Sequence, residues 1–184
     1  MQQWKTLKRE LVLDHGKFLK VERHQIELPD GRIINDWPWI ISPDYVLVLP
    51  ETSESELLLF YQTKYAVKGT SLAPVGGYIE QGEEPLIAAQ RELKEEMGCE
   101  AEEWIYFGGF QGNGNHGGGS GHFFLARNAH QVAQIMRDDL EEMEIVKMTI
   151  DEVEEKLISG EVKVQGWIAM IAMGILYLRR IAHH

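Results

Sequence analysis

The octet RELKEEMG, residues 91–98, is the strongest constraint on what this chain can fold into. On a helix, Glu92 and Glu96 stack four residues apart on one face with Glu95 alongside, and each close like-charged pair costs about 0.2–0.5 kcal/mol. The surrounding pattern still demands a helix: from Pro85, the residues Leu86, Ala89, Leu93 and Met97 recur every three or four positions, and Gly98 stands where a helix stops. That apolar arc can pack on a sheet, which leaves the carboxylates in the adjoining arc at the edge of a core. Left bare, they repel. A hard divalent cation, whose preferred ligands are oxygens, turns the repulsion into a binding site. For the octet alone, glutamates decorating a solvated helix face are the competing reading.

The rest of the chain supplies a core for such a helix. At 184 residues and 44% hydrophobic content it is long enough for one domain with an appendage. YVLVL (45–49) and ELLLFYQ (56–62) are short apolar runs expected as buried strands, and WIYFGGF (104–110) and GHFFLARN (121–128) are again strand-like. PDG at 29–31 is a turn signal between FLKVERHQIEL and RIINDWPWII, which predicts a β-hairpin over residues 18–41. Acidic helical stretches are predicted at 131–143 and 150–159, and WIAMIAMGILYL (167–178) reads as a buried terminal helix, too short to span a bilayer. The order is that of an α+β protein.

Composition excludes some functions. The net charge of −11 and the absence of any basic grouping longer than Lys8-Arg9 or Arg179-Arg180 argue against DNA as a partner. A single cysteine, Cys99, cannot form an internal disulfide, and residues 1–20 hold no apolar leader segment, so a cytoplasmic protein with no membrane attachment is expected. GNGNHG (112–117) contains G-x-G-x-x-G, but it runs into more glycine and then a strand, whereas a dinucleotide fingerprint must open a helix.

Upstream of the octet, the pattern lengthens into GGYIEQGEEPLIAAQRELKEEMGC: Gly77, Glu83, Arg91-Glu92-Leu93, Glu95-Glu96 and Gly98 at fixed spacings. This resembles the signature of the Nudix hydrolase family, with Cys99 at a closing position where an aliphatic residue is usual. The resemblance implies a Nudix α/β/α sandwich with a mixed sheet, residues 42–184, preceded by an N-terminal β-hairpin extension, residues 1–41. It implies that Glu92, Glu95, Glu96 and the Gly76 carbonyl hold Mg²⁺ or Mn²⁺, that Gly77 lets the backbone approach the site, and that Arg91 holds a glutamate by a bidentate pair, while Glu83 orients the loop. The hairpin, then LLLFYQTKYAVKG and PVGGYIEQGE, look like the ADP-ribose and nucleotide-sugar pyrophosphatase branch, in which the N-terminal hairpin commonly builds a homodimer. The implied reaction is metal-dependent hydrolysis of the pyrophosphate bond of a nucleoside diphosphate linked to another group, giving two monophosphates. A Nudix hydrolase of dinucleoside polyphosphates, capped RNA ends or housecleaning nucleotides, and a noncatalytic nucleotide-binding regulator, are the alternatives.

The chain departs from that branch at three points. Its Q-x-R motif appears as Gln62-Thr63-Lys64, so a phosphate contact falls to Lys64, a point charge rather than a planar fork. No proline follows Pro85, and no carboxylate lies between Glu103 and Asp138, where this branch often carries a loop glutamate. His116 in that loop is therefore a candidate base, against a water activated by the cation with no loop base at all. Trp37 and Trp39 alternate about Pro38 and point to one face, where they either pack or stack on a base. Asp139, Glu141, Glu142 and Glu144 form an acidic run read as a solvated helix face or as support for a metal.

Overall fold

Apolar strands of 45–63 form the centre of the fold, and everything that positions the carboxylate helix is attached to them. The computed structural model describes residues 1–135 and 142–182, and it divides into two units: Met1–Asp44 with Phe110–Gly121, and Tyr45–Gly109 with His122–His184.

In the first unit, strands β1 (Lys5–Asp14), β2 (Lys20–Glu27) and β3 (Ile33–Ile41) form an antiparallel sheet in that order. The Pro-Asp-Gly turn closes β2 onto β3 through Gly31 N–H to Leu28 O and Leu28 N–H to Arg32 O, both 2.9 Å. The expected hairpin over 18–41 is thus one strand short. Strand β1 escapes a reading by alternation because its pairing with β2 shifts register between Thr6 and Lys8 and again between Leu11 and Leu13, and each shift breaks the period of two. Every residue of β1 is exposed.

The second unit contains β4 (Tyr45–Glu51), β5 (Glu56–Thr63), β6 (Thr70–Ala73), β7 (Val75–Tyr78), α1 (Pro85–Met97), β8 (Cys99–Glu100), β9 (Glu103–Gln111), β10 (Ser120–Arg127), β11 (His130–Gln131), β12 (Met143–Thr149), α2 (Ile150–Ile158) and α3 (Gln165–Ala182); β9 and β10 run on into the loop 110–121 of the first unit. Its mixed sheet has the order β12-β5-β4-β10-β9, with β6 on β5 and β7 on β4, while β8 pairs with β11. Val46, Leu47, Val48 and Leu49 are all buried, as a strand covered on both faces requires. Helix α3 turns Trp167, Met170, Ile171, Ile175 and Leu178 into the core, and α1 contributes Ala88, Ala89, Leu93 and Met97. Leu86, expected on the packing arc, is exposed and Ala88 is buried instead, because periodicity gives a side chain's direction but not how far the sheet reaches beneath the first turn. Among the described residues, no helix is long and apolar enough to cross a membrane.

The sheet is split at its centre. Strands β4 and β5 pair at Glu51↔Leu57 and then separate: β4 continues against β7 (Val48↔Val75 to Tyr45↔Tyr78) and β5 against β6 (Phe60↔Ala73 to Thr63↔Thr70). The opening between them is the cleft described below.

Of the acidic helix expected at 131–143, residues 136–141 lie outside the described residues, and the described residues on either side are not helical. His130–Gln131 is a short strand, and Met143–Thr149 lies antiparallel to β5 from Met143↔Gln62 to Thr149↔Glu56. Asp139 and Glu141 lie outside the described residues; Glu144 stands opposite Tyr61 in the ladder.

Helix α1 stops because Gly98 takes up the left-handed conformation, φ 65°, and its N–H bonds back to Leu93 O and Lys94 O. A Cβ there would also overlap the Ala133 carbonyl. Gly98→Ala should therefore cost clearly more than the roughly 1–2 kcal/mol of a left-handed alanine alone, and Gly31→Ala, at φ 81° in open space, should cost only that. Urea unfolding of the two variants checks the difference.

Candidate active site

One guanidinium organises the carboxylates of α1. Pro85 at the first helical position and the cap at Gly98 fix the helix so that Arg91 points back over the loop that precedes it. All five of its N–H donors are used: Nε to Glu83 Oε1 (2.9 Å), Nη2 to Glu83 Oε2 (3.0 Å) and to the Tyr78 carbonyl (3.1 Å), and Nη1 to Glu92 Oε1 (2.8 Å) and Glu95 Oε2 (3.1 Å). Glu83 is gripped bidentately and also accepts from Glu80 N–H at 2.9 Å, so the loop is tied to the helix at both ends of one side chain. Glu96 lies one turn beyond Glu92, and its Oε2 accepts from Gly76 N–H at 3.3 Å.

The electrostatics are unequal. Arg91 holds the Glu83 carboxyl below the usual carboxylate range, whereas Glu92 is pushed above it, because burial of its side chain, 12% exposed, outweighs the same guanidinium. The Arg91 guanidinium is thus shared by three carboxylates, those of Glu83, Glu92 and Glu95, in a half-buried place. Strand β7 adds a cradle: a Cβ on Gly77 would overlap both oxygens of Glu92, so only glycine lets the backbone lie against that carboxylate.

Lys64 closes the other side. Together with Gln62, Pro74, Gly76, Gly77, Tyr78 and Glu96, and with Tyr45, Val46, Leu47 and Trp167 beneath, it lines a cleft of about 460 Å³ in the split of the sheet. Lys64, Gly76, Gly77 and Glu96 line this cleft, and Arg91 reaches its rim through the Tyr78 carbonyl while holding Glu92 and Glu95, so these seven residues lie in one unit. Among the described residues no three His, Cys, Asp or Glu side chains are yet drawn around a common point, Glu92 and Glu95 being turned to Arg91. The donor set nevertheless fits a hard divalent cation: carboxylate oxygens on one helix face, one of them desolvated, beside a bare glycine backbone.

Trp37, Trp39 and His116 belong to the first unit and are brought together with one another. The Trp37 indole N–H donates to Asn115 O at 2.9 Å, its ring stacks on His116 at 5.1 Å and meets Trp4 edge-on at 5.4 Å, and Trp39 stacks on the buried His24 at 5.3 Å. His116 Nδ1 lies 3.2 Å from Pro38 O. Gln62, Trp167 and Tyr45 line the cleft without a motif in the sequence that assigns them a site role. Gln62 carried a usable signal, a polar side chain two residues after Phe60 on the core face of an apolar strand.

Comparison with known proteins identifies the family. The NUDIX domain model matches residues 42–165, and a second model, the nucleoside diphosphate sugar hydrolase N-terminal domain, matches residues 4–40. The chain belongs to the Nudix family. Over nearly its whole length it is similar to a protein of Bacillus subtilis described as "ADP-ribose pyrophosphatase", 27% identical over 176 residues covering 95% of this chain and 92% of that one. A protein of Bacillus methanolicus described as "Methanol dehydrogenase activator" is 24% identical over 181 residues, covering 98% and 96%. The fold matches a crystal structure of an ADP compounds hydrolase with a TM-score of 0.79 at 18% identity, covering 97% of this chain and 96% of the other.

Two outcomes follow from the site. Gly77→Ala should leave stability within about 1 kcal/mol of wild type, since the far end of a flexible side chain can move aside, but should displace Glu92 and remove most divalent-cation affinity; Gly76→Ala meets the Val46 carbonyl and the Leu47 side chain and should destabilise the fold instead. Thermal melts and Mn²⁺ titration separate the two. Because the folded carboxyl of Glu83 is held low, its tie to Arg91 stabilises fully above the ordinary glutamate value of about 4.3 and is lost as pH falls below it. Wild type should therefore melt above Glu83→Gln at pH 7, and the two should converge in acid.

Proposed function

We propose that this Nudix hydrolase cleaves the pyrophosphate bond of a nucleoside diphosphate linked to another group, with ADP-ribose or a nucleotide sugar as the substrate class, and gives two monophosphates. The observation that carries the reading is the sharing of one guanidinium, that of Arg91, by Glu83, Glu92 and Glu95, set beside a cleft lined by Lys64 and Glu96. The similarity to an "ADP-ribose pyrophosphatase" and to a "CMP-5'-(N-acetyl-N-hydroxy-3-aminopropyl)phosphonate hydrolase" of Streptomyces rubellomurinus, 25% identical over 167 residues, supports a nucleotide-linked substrate.

Glu92, Glu95 and Glu96, with the Gly76 backbone, would hold Mg²⁺ or Mn²⁺. When bound, the cation supplies positive charge to the diphosphate oxygens and acidifies a water. The chain's own residues do the positioning. Arg91 keeps Glu92 and Glu95 in register, Glu83 keeps Arg91 from swinging to solvent, the Gly76 N–H orients Glu96, and Lys64 offers an ammonium to a phosphate oxygen. His116 is given a packing role, stacked on Trp37, and the loop 110–121 supplies no base. Trp37 and Trp39 are the aromatic faces available for stacking a base in the first unit, beyond the packing they already make.

The first unit also bears on assembly. Its buried hydrophobic or polar side chains are Ile26 and His24, while Leu7, Leu11, Val12, Leu13, Phe18 and Ile33 are exposed. A small sheet with so little core and so much apolar surface is marginal alone. We propose that residues 1–41 pair with a second copy of the chain.

A panel of ADP-ribose, nucleotide sugars, dinucleoside polyphosphates, capped RNA and noncanonical nucleoside triphosphates, assayed with Mg²⁺ and phosphate detection, tests the reaction. The expected result is turnover of the first two, lost by about 10²–10⁴-fold in Glu96→Gln, and kept within about threefold in His116→Ala from pH 6 to 9. An active Glu96→Gln, or no turnover of any compound, contradicts it. Light scattering at micromolar concentration should give a mass near twice 21.1 kDa; a monomer contradicts the pairing.

A further inference from the structure

Among the described residues, Gln62 places in the cleft wall a buried polar atom that has no hydrogen-bond partner and no role in the proposed reaction. Gln62 sits near the end of β5, its backbone in the ladder on both sides, opposite Ser71 of β6 and Met143 of β12. Phe60, two residues earlier on the same face, is fully buried, and Gln62 is only 5% exposed. An apolar side chain would satisfy such a position. Yet Gln62 lines the cleft with Lys64 and Glu96, and its Oε1 has no hydrogen-bond partner among the described residues. A buried carbonyl oxygen without a donor opposes folding, so its presence at the wall of a ligand cleft needs an explanation in what the cleft receives.

An amide oxygen selects for its complement. Phosphate oxygens of a diphosphate ester only accept, and a carbonyl aimed at them repels; what fits Gln62 Oε1 is an uncharged N–H or O–H. We propose that Gln62 is a specificity-determining residue, whose Oε1 accepts a hydrogen bond from a hydroxyl or amine on one of the two groups esterified to the diphosphate, the nucleoside or its partner. The inference rests on the reading of this cleft as the site for a diphosphate ester. It makes the cleft favour a substituted diphosphate over a bare one, because a ligand without the donor leaves Gln62 as unpaired as the empty cleft does.

The test is binding of three unhydrolysable probes with Mg²⁺, followed by calorimetry: α,β-methylene ADP-ribose, its inosine counterpart, and methylenediphosphonate. Gln62→Met keeps the volume and removes the acceptor. It should be at least as thermally stable as wild type without ligand, bind methylenediphosphonate within about threefold of wild type, and bind methylene ADP-ribose roughly 10–100-fold more weakly. A loss that persists with the inosine probe assigns the donor to a sugar hydroxyl, and a loss that vanishes assigns it to the adenine amine. Equal weakening of all three probes would mean that Gln62 supports the cation or the fold, and it overturns the proposal, as does an unfolded Gln62→Met or one that binds methylene ADP-ribose as wild type does. If wild type binds none of the probes, the reading of the cleft itself fails; if wild type binds and the variant is indifferent, Gln62 alone is wrong.

Discussion

The site depends on one side chain that has no donor left to give. Arg91 ties three carboxylates and a backbone carbonyl to a single plane, and so joins α1, the loop before it and the end of β7. Lysine could not replace it, since an ammonium has three donors and no fork to grip Glu83 with two parallel bonds. The guanidinium is 25% exposed and Glu83 and Glu92 are 12% exposed, so these pairs are screened far less than surface pairs such as Arg32–Asp30 or Arg23–Glu10, which contribute at most about 1 kcal/mol. Breaking the Arg91 cluster would leave buried charge uncompensated, and that penalty is the larger part of what holds it together.

Around this cluster the fold leaves open what a close-packed sheet would close. The parting of β4 from β5 admits β6 and β7 as short flanking strands, and the glycines of β7 bring a bare backbone against Glu92 and Glu96. A helix that would be strained by its own carboxylates is thus stable beside a cleft that can take a cation. Stability and chemistry draw on the same charges. The burial that raises Glu92 above the ordinary carboxylate range is tolerable because Arg91 is near, and useful because Arg91 is not enough.

Much of this was readable in the chain, and the rest was hidden for identifiable reasons. The apolar runs at 45–49 and 56–62 announce β4 and β5, and the spacing from Gly77 to Gly98 places the glutamates and Arg91 together. The partner of Arg91 eight residues back was not a matter of helical spacing, because Glu83 precedes Pro85 and reaches Arg91 from the loop. Strand β1 was masked by two register shifts, and β12 by its position between two stretches that read as acidic helices. Gln62 showed as a polar letter in an apolar strand, but that its oxygen lacks a donor is a three-dimensional fact.

Paramagnetic broadening by Mn²⁺ tests the central claim most directly, because it locates the cation without requiring a substrate. Substoichiometric Mn²⁺ added to ¹⁵N-labelled protein should first erase the amide signals of Gly76, Gly77, Glu92, Glu95 and Glu96. Broadening centred instead on another acidic group, such as Glu102 with Glu103 or Glu152 with Glu155, and sparing those five amides, would contradict the account.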